Sequence, residues 1–525
     1  MSSTSIHPAP RSPRPRDLLH GLARGAGHLL AHLADAPGGG RWFRSPSRGR
    51  ALETALTLHL LRREGLRPAW QPRLVTWLEG HPADDPFTRA IVGAVLGRAG
   101  DRGADAAVAA ILRDVAYARD RKHALLHALL AEVGLGPVDP SPLVIGAAAP
   151  PSFHRFARIY AAGITLLRAR HQGLPIAALP ESAWLRDQQG PDGSWEAQGL
   201  TTLVALLGLG RSFPACFDRG LEFLARSQRD DGGIPFCDLG IFGTAVAGLA
   251  LRESGAALVP ADVGDFLAAR QADDGAWAFD DGVVQTDLDT ATQVAQLLAR
   301  LGPQRHRAPL QRAHRYLLAM QRPDGGFPTY VHAGESEVTM TANAVLALSL
   351  ALPGAPALLP AIGRGLRFLP AHQRGDGSFE RSWSRCETYS MFRVLWALDT
   401  ARAAGVRLDR ADERALAAME RRALTYLCAH QHDDGSFGAV PGAPGDALST
   451  AYGLGALCSL RRPERAGLAA AALLARQTDD GAFPSPPDMV GPRPFVYDDP
   501  LLSTTFSVLA LGLAARLAHR QPLAA

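Results

Sequence analysis

Apolar residues recur along this chain at helical spacing, and sustained alternation of apolar and polar residues is nearly absent. Spacings of three and four residues place side chains on one face of an α-helix, whereas alternation would indicate strands. In the C-terminal half, small-residue-rich apolar stretches alternate with amphipathic ones. The apolar stretches are 243–251, 290–301, 341–350, 388–398, 449–460 and 503–518, and the amphipathic ones include 310–320 and 421–430. This pattern predicts an all-α protein.

A short turn phrase recurs seven times between the helical stretches. It reads Gln-x-x-Asp-Gly followed by an aromatic residue, or a close relative, and its Asp residues lie about 39 to 58 positions apart. Asp-Gly supplies a tight turn with a positive φ angle, and a Gln amide can satisfy backbone groups at neighbouring helix ends. A unit of outer helix, turn and inner helix cannot bury its own apolar face. Several units therefore have to close into a ring, which predicts an α/α toroid.

The N-terminal third carries the phrase only at its end, but helical stretches remain clear at 51–64, 86–96, 106–116 and 153–169. We interpret this part as a second, divergent helical barrel. The predicted fold class is thus all-α with two (α/α) barrel domains. The predicted domains are a disordered tail over 1–16, a divergent barrel over 41–220, and a barrel over 221–525 that an N-terminal helix over 17–40 completes.

Composition narrows the class of protein. Of 525 residues, 47% are hydrophobic and 20% charged, which excludes a disordered chain, and a net charge of +4 argues against a nucleic-acid partner. No apolar run is long enough to span a bilayer, and five scattered cysteines indicate no disulfide framework, so we expect a soluble cytoplasmic protein. Lys122 is the only lysine. Any bound phosphate is therefore expected on arginine, backbone amides or a metal ion.

One stretch carries a denser pattern. Residues 275–279 read Gly-Ala-Trp-Ala-Phe and are followed by Asp-Leu-Asp-Thr-Ala at 287–291, and residues 337–346 read Glu-Val-Thr-Met-Thr-Ala-Asn-Ala-Val-Leu. Together with the turn phrases, these motifs resemble the class II terpene cyclases, a family that includes squalene-hopene cyclases and bacterial copalyl and drimenyl diphosphate synthases. The second motif resembles the family's Asp-x-Asp-Asp-Thr-Ala acid motif. Thr290 departs from it, and an Asp-x-Asp-Thr version resembles the drimenyl diphosphate synthases.

The resemblance implies that Asp289 is the general acid, with Asp287 as its modulating partner and Asn343 as its orienting partner. Cyclisation of this class begins by protonating an alkene, and a carboxyl group with a pKa near 4 is mostly ionised at neutral pH. Asp289 must therefore be desolvated, and the nearby carboxylate of Asp287 would raise its pKa while the helix N-terminus would lower it. The alternative is that Asp289 merely caps the helix.

The substrate cavity is expected to include Trp383 and Tyr389, whose faces could stabilise carbocations, although plain core packing is an equal alternative for each ring. The resemblance also implies Mg²⁺ bound together with the substrate diphosphate. The residues that hold the metal and the diphosphate stay open. Arg41, Arg44 and Arg48 form one candidate cluster for the diphosphate, and a solvated basic loop is the alternative.

These inferences lead to a predicted function. The chain is expected to be an enzyme that protonates farnesyl diphosphate and yields drimenyl diphosphate, a bicyclic sesquiterpene, with the diphosphate retained. Alternatives are the conversion of geranylgeranyl diphosphate to a copalyl or labdane-type diphosphate, a glycosidase-like toroid, and a non-catalytic toroid that binds isoprenoid or protein, which Thr290 would favour. The sequence leaves open the product's stereochemistry, later hydrolysis of the diphosphate and the oligomeric state.

Overall fold

Helices make up nearly all of the regular structure in the computed structural model, which describes residues 12–98, 103–113, 117–137, 150–255 and 259–520. In chain order the helices are α1 (Pro15–Ala31), α2 (Ala51–Arg63), α3 (Gln71–Gly80), α4 (Pro86–Val95), α5 (Ala104–Ile111), α6 (Arg119–Glu132), α7 (Arg155–His171), α8 (Pro180–Asp187), α9 (Gly199–Leu209), α10 (Pro214–Ser227), α11 (Gly240–Ser254), α12 (Ala261–Ala269), α13 (Leu288–Leu301), α14 (Arg307–Met320), α15 (Val338–Ala351), α16 (Leu359–Ala371), α17 (Glu387–Ala403), α18 (Arg410–His430), α19 (Ala447–Ser459), α20 (Pro463–Leu474) and α21 (Leu502–Arg520).

The strands of the described residues form two short antiparallel ribbons. One pairs β1 (Leu33–Asp35) with β2 (Arg41–Phe43), and the other pairs β3 (Met489–Val490) with β4 (Val496–Tyr497). Both are too short to build a core. The all-α prediction is therefore confirmed.

Six of the helices form a closed inner ring. Helices α11, α13, α15, α17, α19 and α21 each pack against the next, and α21 packs back against α11. They are the apolar stretches of the sequence, and their side chains are buried on nearly all sides because ring neighbours cover two faces and outer helices a third. Helices α12, α14, α16, α18 and α20 lie outside this ring, and α1 packs against α20, α21 and α11.

The turn phrases fasten the outer helices to one another. In all seven, the Gln amide donates to the carbonyl of the turn glycine, and that glycine has a positive φ between 86° and 106°. In six of them the same amide nitrogen also donates to a carbonyl of a following outer helix. For Gln477 that acceptor is Gly21 of α1. The expected role of the Gln amide is confirmed.

The N-terminal helices form a second set of contacts. Helix α2 packs against α3, α4 and α9, and the sequence of contacts continues through α5, α6 and α7 back to α9. The domain boundaries over 41–220 and 221–525 stay a prediction. The predicted helix over 106–116 corresponds to α5, and residues 114–116 lie outside the described residues.

Two sequence expectations need correction. The helix expected over 17–40 ends at Ala31, and the chain then forms the β1–β2 ribbon. Its turn contains Pro37 followed by three glycines with φ of 82°, 103° and 78°, a conformation that no helix continues. The tail expected over 1–16 lies mostly outside the described residues, and α1 begins at Pro15.

Helix α21 is long and apolar enough to cross a bilayer by length and composition. Its most apolar window, Leu502–His519, is 78% buried within the protein. Because α21 is a member of the inner ring, its apolarity is explained by core packing.

Candidate active site

A cavity of about 470 Å³ lies where the N-terminal helices meet the inner ring. Its wall comes from α6, α7, the start of α13 and the loop that carries β3 and β4, and it is mainly aromatic and aliphatic. Within the described part of the chain, its carboxylates are Asp287 and Asp289, and its basic side chains are Arg121, Lys122 and Arg493. The cavity therefore combines an apolar wall with one group of acidic and one group of basic side chains.

Asp287 is the residue that caps α13. Its Oδ1 accepts the backbone N–H of Thr290 at 2.7 Å, and its Oδ2 accepts the Thr290 hydroxyl at 2.9 Å. Both oxygens are thus occupied by Thr290. The departure from the acid motif has a structural reason, because the threonine hydroxyl supplies a donor to Asp287 where a further aspartate would add a like charge.

Asp289 lies two residues further along, within the first turn of α13, and is partly exposed to the cavity. Its Oδ1 accepts the Asn343 amide at 2.8 Å and the Gln293 amide at 3.2 Å. No described residue donates to its Oδ2, in contrast with both oxygens of Asp287. The structure thus brings Asp287, Asp289 and Asn343 together, and the N-cap alternative falls on Asp287 instead of Asp289.

Burial raises the pKa of both carboxyl groups. The pKa of Asp287 rises to about 7 because of its burial, and the neighbouring Asp289 adds to the rise while hydrogen bonds from Thr290 oppose it. Burial also raises the pKa of Asp289, and the Arg393 guanidinium and the two amides oppose that rise. A carboxyl group in this environment holds its proton at higher pH than an exposed one.

Aromatic rings line the cavity beside the acid. Tyr330 contacts His154, Phe156 and Trp383, with ring centroids 4.4, 5.4 and 5.7 Å away. Burial and the nearby cations lower the pKa of His154 to about 3, so this ring is neutral. Trp383 thus lies on the cavity wall, where the resemblance placed it.

The expectation that Tyr389 lines the substrate cavity needs correction. It does not line the cavity, because its ring lies inside the inner ring of helices and packs against Tyr452 at 4.9 Å and Phe506 at 6.0 Å. It lies one helical turn before Arg393 on α17, and that face of the helix points to the ring interior. Tyr389 is a core residue beneath the acid.

The cations at the cavity form a cluster that we call the basic cluster, Arg121, Lys122 and Arg493. The Arg493 guanidinium lies between the rings of Tyr117 (4.7 Å) and Trp383 (4.3 Å) and donates to Glu337 at 2.9 Å. Burial, followed by the charges of Arg493 and Arg121, lowers the pKa of Lys122 to about 7. Three basic side chains and a single paired carboxylate leave an excess of positive charge at this part of the wall when Lys122 is protonated.

The candidate cluster of Arg41, Arg44 and Arg48 does not reach the cavity. Arg41 pairs with Asp262 at 2.8 Å, Arg48 pairs with Asp498 at 3.1 Å, and Arg44 is exposed. This corrects the expectation for the segment, since two of its three guanidiniums are neutralised by surface carboxylates.

Sequence reasoning missed Gln293, Arg393 and the basic cluster. Gln293 carried a signal, because it lies four residues after Asp289 and therefore on the same helix face. Arg393 also carried one, as the only charged residue within the apolar stretch 388–398. The sequence contained no signal for the basic cluster, since its members come from α6 and from the β3–β4 loop, which are far apart in sequence.

The described residues offer few side-chain ligands for Mg²⁺. Among them, no group of three or more His, Cys, Asp or Glu side chains could hold a metal ion. The side chains present therefore do not fit a protein-built metal cage, and the predicted Mg²⁺ has no site of that kind in the described chain.

Comparison with known proteins gives consistent results. Residues 261–379 match the squalene-hopene cyclase N-terminal domain family. The chain is 36% identical over 499 residues to drimenyl diphosphate synthase of Streptomyces showdoensis (90% of each chain), and 35% identical over 517 residues to that of Streptantibioticus cattleyicolor (93% of each). The solved ent-copalyl diphosphate synthase from Streptomyces platensis has a TM-score of 0.59 at 18% identity, covering 95% of this chain and 99% of that one, which shows a shared fold.

Proposed function

The chain belongs to the class II terpene cyclases, and from this premise we propose that it converts farnesyl diphosphate to drimenyl diphosphate with the diphosphate retained. One observation carries the proposal: a carboxylic acid with an unoccupied oxygen and a cluster of three cations line the same aromatic cavity. The acid suits the alkene end of a prenyl chain, and the cations suit its diphosphate end.

Asp289 is the proposed catalytic residue. Its proton passes to the terminal alkene, the π electrons form the new C–H bond, and the O–H electron pair stays on Asp289 as a carboxylate. Burial raises the pKa of Asp289 and so favours its protonated form before this step, and the proposed positioning residues Asp287 and Asn343 keep it in place. The later loss of a proton from the final cation makes the overall reaction an isomerisation.

The wall of the cavity stabilises the cations that follow. Faces of aromatic rings attract positive charge without forming a bond, and Trp383, Tyr330 and Phe279 supply such faces. Few polar groups line the cavity, so a carbocation meets few nucleophiles before it closes the second ring.

The basic cluster is the proposed diphosphate site. Nη1 of Arg121 and Nε of Arg493 are buried donors without a hydrogen-bond partner among the described residues. Unpaired buried donors are costly, and a diphosphate would supply the missing acceptors. Lys122, the only lysine of the chain, follows Arg121 and lines the same cavity, so the proposed site adds a lysine to the arginine, backbone amides and metal ion expected from the sequence.

We further propose that Mg²⁺ accompanies the diphosphate. Magnesium commonly keeps several waters and binds through substrate phosphates with few protein ligands, which is compatible with the side chains present. No step of the mechanism above depends on it. Activity that is lost with a chelator and restored by added Mg²⁺ is the expected result. Cytoplasmic location likewise stays a prediction.

The proposal is tested by product analysis. The protein is incubated with Mg²⁺ and, separately, with farnesyl and geranylgeranyl diphosphate, and the products are dephosphorylated and examined by mass spectrometry. We expect a bicyclic drimane alcohol from farnesyl diphosphate and at least a hundredfold less from Asp289→Asn. A labdane alcohol formed only from the longer substrate would assign the chain to the diterpene reaction. No new alcohol from either substrate would contradict the cyclase function.

A further inference from the structure

Arg393 places a positive charge inside the inner ring without an ion-pair partner. It lies on α17, its exposed fraction is 1%, and among the described residues it forms no ion pair with a carboxylate. The ring of Trp396 lies 5.2 Å from its guanidinium carbon. Burying an unpaired charge is expensive, so a residue of this kind in an apolar ring calls for a functional explanation.

The guanidinium holds the two amides that contact the acid. Its Nε donates to Oδ1 of Asn343 at 2.5 Å, and its Nη2 donates to Oε1 of Gln293 at 3.4 Å. Both amides in turn donate to Oδ1 of Asp289, at 2.8 and 3.2 Å. Four side chains from the adjacent helices α13, α15 and α17 thus form one closed loop of hydrogen bonds.

This loop fixes the direction of both amides. A guanidinium can only donate hydrogen bonds, so Asn343 and Gln293 must turn their oxygens toward Arg393 and their NH₂ groups toward Asp289. Without Arg393 either amide could rotate by half a turn and present its oxygen to the acid. The proton of Asp289 would then be donated to an amide and withheld from the substrate.

The same loop decides which oxygen of Asp289 carries the proton. Oδ1 accepts two N–H groups, whereas Oδ2 accepts none from the described residues. We propose that Arg393 is a positioning residue for the general acid: through Asn343 and Gln293 it keeps the proton on Oδ2, the oxygen free to face the substrate, and its charge stabilises the carboxylate that remains after proton transfer. The second effect makes Asp289 a stronger acid than burial alone would allow.

Other ionisable groups influence the charges of Asp289 and Arg393, and these groups remain in place when Arg393 is substituted. Glu337, at the start of α15, raises the pKa of Asp289, and the charge of Asp289 in turn raises the pKa of Asp287. Tyr389 and Tyr452 face Arg393 from α17 and α19, and Arg300 faces it from α13. Among the basic groups, Arg393 has the largest effect on the pKa of Asp289. A change in Asp289 titration after its substitution is therefore attributable to Arg393.

The test combines a titration without substrate and a kinetic measurement. The carboxylic-acid C=O stretch of Asp289 is identified by infrared spectroscopy as the band absent from Asp289→Asn, and is followed from pH 4 to 10 in wild type, Arg393→Gln and Arg393→Lys. Arg402→Gln is the matched control, because it removes one arginine from the same helix at a surface ion pair with Glu420. Gln293→Leu removes one amide while keeping Arg393.

In Arg393→Gln we expect the titration midpoint of Asp289 to rise by at least one pH unit, and kcat to fall about tenfold or more while KM changes less than about twofold. Arg393→Lys should keep the midpoint near wild type and lose kcat, because one ammonium cannot hold both amides. Gln293→Leu should also lower kcat. This variant replaces Arg393→Gln as the test of the hydrogen-bonded loop if Arg393→Gln does not fold.

An unchanged midpoint in Arg393→Gln, or kcat values in Arg393→Gln and Gln293→Leu equal to that of Arg402→Gln, would overturn the proposal. Its catalytic part rests on the proposed function, and the infrared titration does not. If wild type fails to cyclise farnesyl diphosphate, the proposed function is contradicted while the titration still decides whether Arg393 controls the acid.

Discussion

At the start of α13, Asp287 accepts two hydrogen bonds from Thr290, whereas Asp289 turns toward the amides of Asn343 and Gln293. Both oxygens of Asp287 are used to cap the helix, and only Asp289 keeps an oxygen free for a substrate. Two acidic residues two positions apart therefore have different roles because the first one stands just before the helix and the second within its first turn. Burial raises the pKa of both, so burial alone does not distinguish them.

Lys122 predicts a pH dependence of diphosphate binding. Because its pKa is lowered to about 7 in the free protein, its ammonium is mostly charged at pH 6 and mostly neutral at pH 8.5. A bound diphosphate favours the charged form, so binding takes up a proton above pH 7 and the affinity falls as the pH rises. We expect the KM for farnesyl diphosphate to increase between pH 7 and 8.5 in wild type.

Lys122→Arg is the control for this prediction, because an arginine stays charged over the whole range while the titration of the substrate itself is the same. Its KM should vary less with pH than that of wild type. Lys122→Met should raise KM about tenfold at pH 6, where the wild-type ammonium is charged. Because it has no group that titrates at this position, its KM should, like that of Lys122→Arg, vary less with pH than that of wild type. Parallel profiles for wild type and Lys122→Arg would show that Lys122 does not contact the diphosphate.

The residues of the acid motif could be predicted from the sequence because they are local to one helix start and its neighbour. Asp287, Asp289 and Asn343 do lie together in the structure. The contacts of Arg393 and of the basic cluster could not be predicted from the sequence, since they depend on which helices become neighbours in the fold. Tyr389 shows the same limit: a ring on an inner helix can face the cavity or the core, and one helical turn decides between them.

The turn phrases are the elements that hold the outer helices in order. Each Gln amide donates to its own turn, and in six of seven phrases also to the next outer helix, so a single side chain connects two units. Gln321 is the most buried of these, with an exposed fraction of 8%, and it bridges the carbonyls of Gly325 and Ala361 at 2.9 Å each.

Replacing Gln321 with leucine should destabilise the barrel. The change leaves two buried carbonyls and the Arg364 donor without their partner, and we expect a loss of about 1–3 kcal/mol in the free energy of unfolding. Urea denaturation followed by circular dichroism measures it. Gln172→Leu, at an exposed position after α7, should change the same quantity by less than about 0.5 kcal/mol. Equal stability of the two variants would argue against a structural role for the phrase.

The helices themselves followed from the sequence to within a few residues. Helices α13, α15 and α19 begin two or three residues before the stretches that the apolar pattern marks, because those stretches were placed to begin at Thr or Ser, whereas the buried residues just before them are already helical. The helix predicted over 17–40 was too long, since its final residues lack the periodicity that distinguishes a helix from a ribbon. Pro37 and the glycines after it were the available signal.

At the scale of the whole molecule, the N-terminal helices do more than close the cavity. Glu196, which follows the first turn phrase, is buried and accepts the backbone N–H groups of Val284 and Gln285 at 3.0 and 2.9 Å. It also accepts a hydrogen bond from Arg155 at the start of α7. Glu196 adopts a φ of 61°, a conformation that a non-glycine residue keeps only when its surroundings hold it there.

The contact of Glu196 fixes the loop that leads into the acid motif, because Gln285 is only two residues before Asp287. Glu196→Ala should therefore free the amides of Val284 and Gln285 and speed their hydrogen exchange about tenfold or more, since hydrogen bonds to a charged group contribute about 1.5–3 kcal/mol. Mass spectrometry of deuterium uptake in the segment 279–288 measures this, and the equivalent loop of the next unit, 331–337, serves as the internal control. Glu196→Gln keeps an acceptor oxygen and should exchange at an intermediate rate. Because a looser loop aims Asp289 less well, kcat should fall in the same order. Unchanged exchange in Glu196→Ala would mean that the C-terminal barrel positions its acid without help from the N-terminal half.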